Sequence, residues 1–329
     1  MMIMRPSLAM VMLLVGTGLP AVTSAEPAFI VGPNKCAECH KREAPIWQKT
    51  HHFSTFRNLP KDKDAQDIAS KMGVKRVSAA DSPCLDCHFT VQSPNNVIAG
   101  VSCESCHGAG KDWVEVHAEF SGKKEGQESS SEIAARWEKS EAAGMIRPKM
   151  TYALAKNCFS CHVVPNEKLV NVGRHLAGSD FELVSWTQGE VRHNVWYNKG
   201  KSNPEASTQH KRMMFLVGRI AELEMALVGV SKATVKEDYG LKMAKRADNA
   251  RKVIAILVKQ LPNAPELAEI SEVANGAALK LNNEAELIAA ADKISVLGLK
   301  FSNGYDGSAF GAIDKYLPRP NEYKGSVSK

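Results

Sequence analysis

The clearest pattern along the chain is helical, and it lies in the C-terminal part. From residue 208 onward, apolar residues recur at steps of three and four: Met213, Leu216, Val217, Ile220, Leu223 and Leu227. A second run holds Met243, Ala247, Val253, Ile254 and Leu257 and ends before Pro262. Two more follow, over 267–281 and 285–301, with Asn263-Ala-Pro265 and Asn282-Asn283 as breaks. Four amphipathic helices predict an antiparallel bundle, or a lid of helices over the rest of the chain. Packing alone explains their apolar faces. A docking or dimerisation surface is the functional alternative.

The N-terminal half is less regular. Ile46, Trp47, Phe53 and Phe56 within KREAPIWQKTHHFSTFRNL predict a helix with an apolar face. Residues 121–143 are rich in Ser, Glu and Lys and read as a surface loop or a short exposed helix. Residues 1–25 differ again. Arg5 is followed by an apolar run from Leu8 to Val15 and by Ala21-Val-Thr-Ser-Ala25, the pattern of a secretory leader. That run is too short to span a bilayer, and the expected location is the periplasm. The division expected is a leader at 1–25, a first domain at 26–207 and a helical domain at 208–329.

Composition places the chain among globular proteins, with 44% hydrophobic and 24% charged residues. The eight cysteines say more. They form four units: Cys36-Ala-Glu-Cys39-His40, Cys84-Leu-Asp-Cys87-His88, Cys103-Glu-Ser-Cys106-His107 and Cys158-Phe-Ser-Cys161-His162. This is the attachment signature of haem c, repeated four times. Two thiols at this spacing can each add to one vinyl group of the same porphyrin, and the next histidine then becomes the proximal iron ligand. A disulfide framework does not explain a histidine after every second cysteine. Separate units of this kind do not make closed zinc sites, and a thioredoxin-like pair would occur once. The expected cofactor is therefore four covalently bound haems c.

Six histidines remain: His51, His52, His117, His175, His193 and His210. Four irons each have a second axial position to fill. Imidazole there suits electron transfer, whereas methionine would raise the potential. Twelve methionines are present, but Met213 and Met214 fit helical apolar stripes and read as core. His52 lies twelve residues past His40, about 18 Å along a straight helix. That is awkward for the same haem and natural for a neighbouring one. His117, after Trp113, reads in the same way.

Trp47 to His52 after the first motif, and then GVSCESCHGAGKDWVEVH at 100–117, resemble the tetrahaem cytochrome c-554 family of ammonia-oxidising bacteria. The resemblance runs over about residues 30–165. It implies a mainly α multihaem cytochrome c fold with little regular sheet, here followed by the antiparallel helical bundle. It further implies His117 as distal ligand of the first haem, His52 as that of the third, and a second haem with an open iron face. His51 has no counterpart there and reads as a surface or supporting residue. Beyond the matched stretch, His175 is assigned to the fourth haem. His193 stays open between the second haem, a proton donor beside an open iron, and a structural role. His210 reads as a capping or surface residue.

The net charge is +6, and loss of the leader removes only Arg5 from it. Four haems would add about −8 through propionates and about +1 per ferric core. The basic balance thus gives no reason to expect nucleic acid. The leading expectation is an electron carrier between redox partner proteins, with no catalytic side chain. By resemblance, a donor of the hydroxylamine-oxidoreductase kind is one candidate partner. A membrane enters only through a membrane-bound partner, and the C-terminal helices are a candidate oligomer surface. Two alternatives are a haem enzyme acting on a small nitrogen or sulfur species at one open iron, and a structural electron-wire subunit of a larger redox complex.

Overall fold

A computed structural model describes residues 29–93 and 96–327. The expected leader at 1–25 lies outside the described residues. The protein is mainly α-helical. Its first half holds short helices: α1 (Pro33–Ala37), α2 (Glu43–Trp47), α3 (His51–Asn58), α4 (Lys63–Lys71), α5 (Leu85–His88) and α6 (Cys103–His107). Then come α7 (Ser130–Ala142), α8 (Thr151–His162), α9 (Glu167–Asn171) and α10 (Leu183–Thr187). Four further helices follow: α11 (Thr208–Ser231), α12 (Asp238–Gln260), α13 (Pro265–Gly276) and α14 (Glu284–Gly304).

Among the described residues the only sheet is a bulged antiparallel pair, β1 (Thr90–Ser93) and β2 (Asn96–Ala99), with Thr90 opposite Ala99 and Ser93 opposite Asn96. It links the second cysteine motif to the third.

The four long helices sit where the apolar periodicity places them. α11 packs on α12, α12 on α13, α13 on α14, and α14 returns to α11, which closes an antiparallel bundle. Local signals set the ends. The Ser207 side chain caps α11 by accepting from the His210 amide, and Pro265 opens α13. His210 is therefore not the cap; it is a half-buried residue of the first turn. Met213 and Met214 are buried in the core, as their spacing predicts.

The bundle does not stand apart at residue 207. α8, which ends in the fourth motif, packs on α11 and α14. Its Tyr152, Ala155 and Phe159 belong to the same buried cluster as Leu216, Ile220, Leu223 and Phe301. Gly298 makes this approach possible, since a Cβ there would lie 2.4 Å from the Tyr152 ring. The buried Glu224 accepts from the Tyr152 hydroxyl and pairs with Lys156 at 2.7 Å. A second, smaller cluster of Ala65, Ala69, Val74, Val77, Leu85 and Phe89 supports the second motif.

The polar stretch 121–143 holds a full helix. Ser129 and Glu132 form a capping box at the start of α7, and Arg136 points inward.

Candidate functional site

The second, third and fourth cysteine motifs end on the last residue of a helix, α5, α6 and α8, which presents the histidine at the helix C-terminus, and His40 of the first follows α1 by three residues. The other histidines meet them in pairs. His40 faces His117 with ring centres 6.3 Å apart, and His88 faces His175 at 6.3 Å. His107 faces His193 at 6.2 Å, and His162 faces His52 at 6.4 Å. Every pair joins one motif histidine to one remote histidine. The angle between ring planes runs from 6° to 87°, yet the separation barely changes. Direct ring packing does not explain a constant gap at such different angles. Two imidazoles holding one metal ion between them at about 2 Å each would have their ring centres about 6 Å apart.

The far side of each ring fixes its orientation. Nδ1 of His107 lies 2.9 Å from the Ile146 carbonyl, and that of His117 lies 2.7 Å from Val114 O. Nδ1 of His175 meets Leu176 O at 2.8 Å, and that of His193 meets Val191 O at 2.7 Å. A carbonyl can only accept, so in these four rings Nδ1 carries the proton and Nε2 keeps its lone pair. His162 Nδ1 meets Ser179 Oγ at 2.8 Å. Burial pulls the imidazoles of His52, His88, His107 and His117 below the ordinary value, and that of His162 down to about 4. Neutral imidazoles are the form that binds metal.

Several segments aim these rings. The expected single helix around His52 is two helices. Thr50 ends the turn after α2 and caps α3 by accepting from the Phe53 amide. The change of direction carries His52 to His162 of the fourth motif and not to His107 of the third, which corrects the assignment implied by resemblance. Gly100 allows the next segment to lie against this turn, since a Cβ there would meet the His52 carbonyl at 2.4 Å. Trp47 Nε1 donates to Val101 O at 2.9 Å across the same contact.

His175 is corrected too. It follows Arg174, whose φ of 64° turns the chain after α9 and points His175 at His88 of the second motif, away from the fourth. His193 stands opposite His107, so of its open roles neither the second haem nor a place beside an open iron describes its position. His51 belongs to none of the four ring pairs. Its Nδ1 and its backbone amide both meet the buried Glu190 carboxylate at 2.5 Å.

Sequence reasoning missed several supporting residues. Arg136 donates to the His117 carbonyl at 2.7 Å while Nε and Nη2 grip Glu128 at 2.8 and 2.6 Å. Glu104, between two cysteines, is buried and accepts from the amides of Val31, Gly32 and Gly110. No periodicity or motif marks either, because both act on backbone groups far away in sequence. The cysteine motifs also lie close in pairs. The Cys36 thiol interacts with that of Cys103, and the Cys87 thiol with that of Cys161.

Comparison with known proteins gives a consistent result. The family model described as "Cytochrome c554 and c-prime" matches residues 35–108. Cytochrome c-554 of Nitrosomonas europaea is 27% identical over 164 residues, which is 46% of this chain and 66% of that protein. The aligned stretch is thus just under two thirds of the relative's length. No solved structure matches the chain.

The cofactor this family implies is haem c, and the residues present fit it. Buried donors on Arg192 (Nε), Arg246 (Nε) and Trp113 (Nε1) have no hydrogen-bond partner in the protein. A haem brings two propionates, which are acceptors. Among the described residues, no group of three or more His, Cys, Asp or Glu is placed to hold a metal ion, so paired imidazoles are the ligand sets on offer. The matched segment contains the first three cysteine motifs, and both comparisons support assigning the chain to the cytochrome c-554 family.

Proposed function

We propose that the chain is a tetrahaem c-type cytochrome that carries electrons between redox partner proteins, with histidine on both faces of all four irons. The observation that supports this best is the set of four histidine pairs at 6.2 to 6.4 Å, each built from one motif histidine and one remote histidine. In this reading Cys36 and Cys39, Cys84 and Cys87, Cys103 and Cys106, and Cys158 and Cys161 hold the porphyrins as thioethers. His40, His88, His107 and His162 are proximal ligands. His117, His175, His193 and His52 are their respective distal partners.

The haems supply one-electron redox chemistry, and the chain sets its level. Imidazole on both faces favours lower potentials than a methionine ligand would give. Carbonyls at Nδ1 hold the rings in place and raise their basicity. The nearness of Cys36 to Cys103 and of Cys87 to Cys161 supports cofactors grouped as first with third and second with fourth. Exposed Val172 and Leu176 flank His175, an apolar surface suited to a porphyrin face.

The resemblance implied an open second iron, and a haem enzyme would need one. His175 opposite His88 argues against that reading here. We further propose export to the periplasm, behind the leader expected at 1–25. No helix among the described residues is long and apolar enough to cross a membrane. Intact mass of the purified protein tests the proposal: four attached haems on a chain beginning near Glu26 are expected, and fewer haems would refute it.

A further inference from the structure

We propose that Glu43 is a positioning residue that lowers the reduction potential of the iron between His40 and His117 by drawing on the His40 Nδ1 proton. The proposal rests on the tetrahaem reading above.

Glu43 opens α2, three residues beyond His40, and the Ala44 amide donates to the His40 carbonyl at 3.0 Å in the intervening turn. This turn places Glu43 Oε2 3.6 Å from His40 Nδ1. Both oxygens of the carboxylate are buried and have no hydrogen-bond partner. The Trp196 ring packs on the His40 ring with centres 4.8 Å apart. A buried carboxylate without a partner is costly, and the nearest remedy here is a small closure onto Nδ1–H.

The contrast with the other rings gives the proposal its content. Nδ1 of His107, His117, His175 and His193 meets a neutral carbonyl, and Nδ1 of His162 meets a hydroxyl. Among the eight paired histidines, His40 is the one with a carboxylate beside Nδ1. An anion accepting that proton makes the imidazole a stronger donor and favours the ferric iron. Burial of the Glu43 carboxylate strengthens the effect. The first iron would then be the hardest of the four to reduce.

Glu43→Gln keeps the shape and removes the charge. In a spectroelectrochemical titration of the full haem-loaded protein, one of four one-electron components should rise, by about tenfold in the ferrous-to-ferric ratio, or about 59 mV. It should be the component of the haem that His117→Ala turns high spin. Glu43→Asp should return part of the shift, which a packing role would not do. Four unchanged midpoints in a Glu43→Gln protein with all four haems would overturn the proposal, as would an equal shift in all four.

If Glu43→Gln fails to assemble, near-infrared magnetic circular dichroism of the wild type decides. One charge-transfer band displaced to higher energy supports the proposal, and identical bands for all four haems overturn it. A wild-type protein with fewer than four haems would instead defeat the reading on which it rests.

Discussion

His175 stands opposite His88 with ring centres 6.3 Å apart, on the side where the family resemblance implied an open face. His175→Ala should expose that face. The oxidised variant is expected to gain one high-spin haem that binds cyanide, with the other three unchanged in electron paramagnetic resonance. A variant spectrum identical to wild type would remove His175 from the ligand set.

His52 and His193 face histidines of different motifs, His162 of the fourth and His107 of the third. His52→Ala and His193→Ala should each produce one high-spin haem, and the double variant two. If both residues met the same iron, the double variant would show one. Spin quantitation of the oxidised proteins separates these outcomes.

How far the site could be read from sequence follows from the range of each interaction. The motif histidines are legible because Cys-x-x-Cys-His is a local geometry. The long helices α11 to α14 are legible because apolar spacing is local too. The remote partners are set by turns with weaker signals. Thr50 breaks one expected helix into α2 and α3 and sends His52 to the fourth motif. Arg174, at φ 64°, sends His175 to the second. An arginine in the left-handed region leaves no compositional trace, whereas a glycine there would have left one. The helix α7 lay inside a polar stretch, and its role depends on Arg136 reaching the carbonyl of His117, nineteen residues back.

The shared core of α8 and the bundle should fail as one unit. In Gly298→Ala the new methyl group would press on the Tyr152 ring. A loss of about 1–3 kcal/mol is expected for overpacking of this kind. Far-UV circular dichroism and the Soret band should shift together during denaturant unfolding. A bundle that unfolds separately from an unaltered haem signal would contradict the shared core.

Glu128 is held below its ordinary carboxylate value of 4.5, chiefly by its hydrogen bonds to Arg136. In the unfolded chain it binds protons more readily, so folding stability rises with pH through this range. Its contribution is complete above pH 4.5 and is lost as the pH falls through the lower folded value. Arg136→Met removes the partner. Acid-unfolding curves should then show a weaker stability gain than wild type as the pH rises toward 4.5. Equal slopes in this window would show that the pair contributes nothing.

Occupation of both faces of every iron is tested most directly by low-temperature electron paramagnetic resonance of the oxidised wild-type protein, recorded with and without cyanide. Four low-spin haems, unchanged by cyanide, are predicted. A high-spin component that converts on adding cyanide would contradict the histidine pairing and restore an open iron.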